Sequence, residues 1–152
     1  MTQIDFYITR IASHDDYLQF ACRLTEKAYR NKHRVFLYTN DAASSQTIDD
    51  LLWTFRPGSF LPHATQSEPE GNDGSSKEDA SEAKLDIVID HSGNPGDHND
   101  VLINLTQKTA PFFSRFDRVA EIVTSDEDAR ARSRERFKFY RDRGYPIKTH
   151  EL

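Results

Sequence analysis

Ile4-Asp5-Phe6-Tyr7-Ile8-Thr9, together with the segment from Ser13 to Ala28 that follows it, decides the fold. Ile4, Phe6, Tyr7 and Ile8 place β-forming side chains on both sides of the backbone, the pattern of a strand buried on two faces in a parallel sheet. Beyond it, Ser13 with Asp16 three residues on resembles a capping box, and Tyr17, Phe20, Ala21, Leu24 and Ala28 recur at helical spacing. A strand that is apolar on both faces and feeds an amphipathic helix is the first half of a βαβ unit.

The alternation continues outward. Arg34 to Thr39 predicts a second strand, and Ser45 to Phe55 a second helix with Ile48, Leu51, Leu52 and Phe55 on one stripe. Leu85 to Asp90, Val101 to Leu105 and Arg118 to Val123 read as three more strands. Pro111 to Phe116 predicts a short helix that turns Phe112, Phe113 and Phe116 inward, with proline in its first turn. The last helix starts near Ser125 or Asp126 and runs to Gly144, the expected C-cap, with Pro146 closing it off. This order predicts α/β architecture: a single three-layer Rossmann-like domain over residues 1–152, with a mainly parallel twisted sheet of about five strands flanked by helices. Two stretches break the pattern. Trp53 to His63, with Pro57 and Pro62 among Trp53, Phe55, Phe60 and Leu61, predicts an aromatic loop and no regular element. Ala64 to Ala83 has no Val, Ile, Leu, Phe, Trp or Tyr and predicts a flexible acidic surface insertion.

A chain of 152 residues buries enough surface to need neither disulfide nor structural metal. Its one cysteine, Cys22, has no partner for an internal disulfide, so a reducing, cytoplasmic setting is expected. No basic and apolar leader opens the sequence, and no window approaches the roughly 18 apolar residues of a membrane span, so no membrane partner is expected. The net charge of −5 is unevenly spread. Residues 64–83 carry six acids and one base, whereas residues 129–148 carry eight bases and two acids. Segregated charge of this kind serves steering or docking.

Candidate chemistry narrows quickly. The turn after the first strand contains no glycine, and none of the six glycines makes a phosphate-cradling motif, so no cofactor is expected. Asp41, Asp90 and His91 fall at strand ends where an open α/β sheet gathers magnesium ligands, with Asp97, His98 and Asp100 nearby in sequence, but acids at such positions are ordinarily turn and cap residues. A metal-dependent hydrolase is therefore the weaker reading, and no catalytic residue is assigned. The last helix is more specific. Arg130, Arg134, Phe137, Lys138 and Arg141 fall within roughly a 100° arc, so four cations and one aromatic share a face with few acids to neutralise it. Such a face suits an acidic peptide with a hydrophobic anchor, or a single-stranded nucleic acid with stacked bases. The Trp53 to His63 loop either covers the sheet end or forms the aromatic centre of a protein interface.

Several segments taken together resemble the chi subunit family of bacterial DNA polymerase III over nearly the whole chain: Asp5-Phe6-Tyr7, Lys32-His33-Arg34-Val35, Leu52-Trp53, Ser59-Phe60-Leu61-Pro62-His63, Asp86-Ile87-Val88-Ile89, Val101 to Leu105, and Ala131 to Arg141. The resemblance implies a non-catalytic adaptor of the replicative holoenzyme. It would join the psi subunit of the clamp-loader assembly to the acidic C-terminal tail of single-stranded DNA-binding protein, and meet DNA only indirectly. Carried onto this sequence, the tail site is Arg130, Arg134, Phe137, Lys138 and Arg141 with Val123 beside them, and the psi contact is Trp53, Phe60, Pro62 and His63. That tail ends in acids followed by Pro-Phe, so cations would pair its carboxylates while Phe137 holds the terminal ring. Phe137 stands where the family often has tyrosine, and Arg130 where lysine is common. A direct single-stranded nucleic-acid binder remains the alternative reading of the same helix.

Overall fold

The computed structural model describes residues 1–55, 61–65 and 85–152. These form β1 (Gln3–Ile8), α1 (His14–Arg30), β2 (Val35–Tyr38), α2 (Ala42–Thr54), β3 (His63–Thr65), β4 (Ile87–Asp90), β5 (Val101–Asn104), a 3-10 turn (Phe113–Arg115), β6 (Arg118–Val123), α3 (Glu127–Asp142) and β7 (Ile147–Glu151). The strands make one sheet in the order β3-β4-β2-β5-β6-β1-β7, and every pair is parallel.

The sheet has seven strands where about five are expected, and both extra strands are edges. β7 escapes prediction because Ile147-Lys148-Thr149-His150-Glu151 has no apolar alternation; the ladder to β1 defines it. β3 takes His63 from the expected aromatic loop and Ala64 and Thr65 from the expected insertion. Trp53 likewise belongs to α2 and not to a loop. Residues 66–83 of the expected insertion, and Phe60, lie outside the described residues.

Strand alternation builds two cores. Val35, Leu37, Ile87, Ile89, Val101 and Ile103 face α1 and α2, where they meet Leu18, Ala21, Cys22, Ile48 and Leu52. Ile4, Phe6, Phe36, Leu102 and Val119 face the other way, onto Phe113, Phe116 and Tyr140. Each fully buried Leu, Ile or Phe contributes about 1.5–3 kcal/mol, so covering both faces is what makes the continuous apolar strands stable. Cys22 is wholly buried among these side chains, and burial pushes its thiol up to about 12, which keeps it unreactive.

The helices start and stop as their caps dictate. Ser13 accepts from the Asp16 amide, Asp41 from Ser44 and Asp126 from Ala129. α3 ends at Asp142 with Arg143 as its C-cap, where Gly144 is expected, and Gly144 follows in the left-handed region (φ 84°). There the amides of Gly144 and Tyr145 return to the carbonyls of Arg141 and Tyr140, a Schellman closure that glycine adopts without strain.

Candidate functional site

α3 lies on the sheet with an unusual inner face: its buried residues are Ser133, Arg136 and Tyr140. Arg136 and Tyr140 meet Glu121 on β6, which has no exposed surface. Its carboxylate accepts from Arg136 Nε at 3.1 Å, from the Tyr140 hydroxyl at 2.7 Å and from Asn104 Nδ2 at 3.1 Å. Burial pushes this carboxyl upward in pKa, and the Arg136 charge with the three donors opposes the shift. The remaining Arg136 nitrogens donate to the Gln107 carbonyl and the Ser133 hydroxyl. Arg136 is thus a structural ion, and the surface of α3 is less basic than a residue count over 129–148 implies.

The network fixes which flank of α3 faces solvent. Arg130 is half-buried and bridges two strand ends, donating from Nε to the Thr124 carbonyl (3.1 Å) and from Nη2 to the Thr9 carbonyl (3.3 Å). One turn on, Arg134 is exposed, as is Lys138 a turn later, and neither is paired with an acid among the described residues. Phe137 is half-buried, its ring tilted against Phe6 with centroids 5.4 Å apart. Arg141 is exposed and bonded to its neighbour Asp142 at 3.2 Å. Val123 is only 5% exposed and belongs to the same apolar cluster as Phe6 and Phe137, so it supports the aromatic from below and offers little surface of its own. The structure therefore brings Arg130, Arg134, Phe137, Lys138 and Arg141 onto one helix flank, with Arg130 beside the carboxyl ends of β1 and β6. Phe137 presents a partly covered ring there, not a fully free one.

The second candidate surface is at the far end of the sheet. Trp53 is 47% exposed and leans on the His63 ring, centroids 4.3 Å apart. The His63 side chain is buried and held to Asp49 through Nε2 (3.3 Å). Pro62 is half-buried. His63 acts here as a prop under Trp53, which leaves the indole as the principal exposed apolar group among the described residues of this surface.

The expected hydrolase ligands do not converge. Asp41 is spent as the α2 cap, and the Ser44 amide holds its carboxyl below the ordinary carboxylate range. Asp90 is fully buried and takes the Ser92 hydroxyl at 2.6 Å. His98 is also buried, where desolvation and the Arg34 charge lower its pKa, so it is not the polar-loop histidine its sequence context implies. Among the described residues no group of three or more His, Cys, Asp or Glu side chains is placed to hold a metal.

Fold and site together define a doubly wound α/β protein whose candidate site is a cationic helix flank. The family model of the DNA polymerase III chi subunit, HolC, matches residues 1–148. The chain is 38% identical over 152 residues to DNA polymerase III subunit chi of Pseudomonas aeruginosa, covering all of this chain and 98% of the relative. It is 28% identical over 132 residues to the Escherichia coli subunit chi, covering 86% and 82%. The solved structure of T4 UvsW superposes with a TM-score of 0.66 at 9% identity, over 99% of this chain and 41% of that one, a likeness of fold alone. The chain belongs to the DNA polymerase III chi subunit family, and is thus a replication accessory subunit and not the catalytic chain. None of its described helices is long and apolar enough to cross a membrane.

Proposed function

We propose that this subunit is a cytoplasmic adaptor: α3 docks the acidic C-terminal tail of single-stranded DNA-binding protein, and Trp53 anchors the psi subunit of the clamp loader. The observation that carries the first half is the pair of exposed cations Arg134 and Lys138, which have no acid partner among the described residues, on the flank that also shows Phe137. Two other exposed cations do find local acids, Arg141 with Asp142 and Arg30 with Glu26. Unpaired cations around an aromatic fit a peptide that brings its own carboxylates and a terminal ring.

The test is a calorimetric titration of an acidic peptide ending in Pro-Phe. Binding should weaken steadily as salt rises, because the contacts lie near the surface where a Debye length is about 8 Å at physiological ionic strength. Arg134→Ala should reduce affinity about five-fold, equivalent to about 1 kcal/mol. Equal affinity in variant and parent removes Arg134 from the site.

For psi, the supporting observation is an exposed indole backed by a buried, anchored histidine, since rigid Trp side chains dominate interface energies. Trp53→Ala should weaken the complex with psi about ten-fold while leaving tail-peptide affinity unchanged; pull-down at graded psi concentration reads this directly. Undiminished capture of psi by the variant refutes the assignment.

A further inference from the structure

An unassigned crevice lies on the other flank of α3. β1 passes into α1 on one face of the sheet and its neighbour β6 passes into α3 on the other, so a crevice opens between their carboxyl ends. It holds a cavity of about 340 Å³, lined by Ser13, His14, Tyr17, Thr106, Arg132 and Ser133 among others. That volume falls within the roughly 300–1,000 Å³ of small-molecule sites.

Arg132 sits two positions from both Arg130 and Arg134, which turns it away from their flank and into this crevice. Its Nε is buried and has no hydrogen-bond acceptor among the described residues. Every other charged group at the cavity is committed: Arg136 to Glu121, Gln107 and Ser133, and Asp126 to the α3 cap. The guanidinium lines the cavity and has no carboxylate partner among the described residues, so its charge and N–H donors suit an oxyanion placed there. Two hydroxyls are free to donate beside it. Ser133 Oγ accepts from Arg136 and Ser13 Oγ accepts from the Asp16 amide, so each keeps its own hydrogen for a further acceptor.

We propose that this crevice binds a small oxyanion-bearing ligand of nucleotide size, with Arg132 holding the anion and Ser133 and Ser13 donating to it. Side chains of α3 and the α1 cap then do what the turn after β1, which has no glycine, cannot do with backbone amides. The site is separate from the tail-docking flank, so either assignment stands without the other.

The test is a titration of the full chain with AMP, adenosine, inorganic phosphate and citrate, followed through the amide signals of Thr106, Gln107 and Ser133. AMP, phosphate or citrate should shift these signals, adenosine should not, and Arg132→Gln should weaken binding at least ten-fold. Arg132→Lys, which keeps the charge and loses the planar fork, should fall between. Tighter binding of AMP than of phosphate and citrate identifies the source as a nucleotide; equal or tighter binding of phosphate or citrate identifies a free oxyanion. The proposal is overturned if none of the three anions shifts these signals at millimolar concentration, or if Arg132→Gln and Arg132→Lys bind as the parent does.

Discussion

Glu121→Ala is expected to lower the stability of the chain by about 3–5 kcal/mol, the cost of stripping a partner from a buried ion pair. Glu121 is fully buried and Arg136 is 8% exposed, so the variant leaves a guanidinium in the core with only the Gln107 carbonyl and the Ser133 hydroxyl as acceptors. Tyr140 and Asn104 each lose a carboxylate acceptor at the same time. At about 2–4 °C per kcal/mol for a chain of this size, the thermal midpoint should fall by roughly 10 °C. Replacing both charges, Glu121→Leu with Arg136→Met, should recover most of the loss, because the pair's attraction mainly offsets its own desolvation. Asp142→Ala breaks an exposed pair and should cost less than about 1 kcal/mol. Urea unfolding that ranks Glu121→Ala with Asp142→Ala would show that the network does not hold α3 down.

The second large effect concerns binding. Reversing two charges, Arg134→Glu with Lys138→Glu, should lower affinity for the acidic tail peptide about 100-fold, because each reversal replaces an attraction by a repulsion and each factor of ten is about 1.4 kcal/mol. Both side chains are exposed and pair with no acid among the described residues, so the fold should be unaffected to within about 0.5 kcal/mol. Peptide affinity that survives the double reversal would place the docking site elsewhere.

Much of this was legible in the sequence wherever side chains declare their surroundings. Val35, Phe36 and Leu37 can all be apolar only between two covering layers, and the two clusters show that arrangement. The cationic flank followed from helical spacing alone. What spacing could not reveal was the polar inner face of α3: Ser133, Arg136 and Tyr140 look like surface residues until Glu121, on a different element, takes Arg136 and Tyr140, and Arg136 in turn donates to Ser133. Ser133, Arg136 and Tyr140 do recur three and four residues apart, a faint signal of a shared face that hydrophobicity scales pass over. Arg132 was hidden by the same arithmetic, counted with a patch from which it points away. β7 was illegible for a further reason: an edge strand of mixed polarity exists only because β1 offers it a ladder.

That ladder has a consequence for how the chain acquires its shape. β1 is flanked by β6 and β7, whose contacts with its neighbourhood span 114 and 145 residues of sequence, as the Thr9 to Val123 and His150 to Asp5 bonds show. During synthesis the first strand emerges long before either neighbour, and its apolar residues Ile4 and Phe6 must wait for them. Closure of distant pairings is slow because their loop entropy precedes any reward. Completion of the sheet is thus a late event, and the nascent amino-terminal strand is the segment that most needs shielding while the ribosome is still at work.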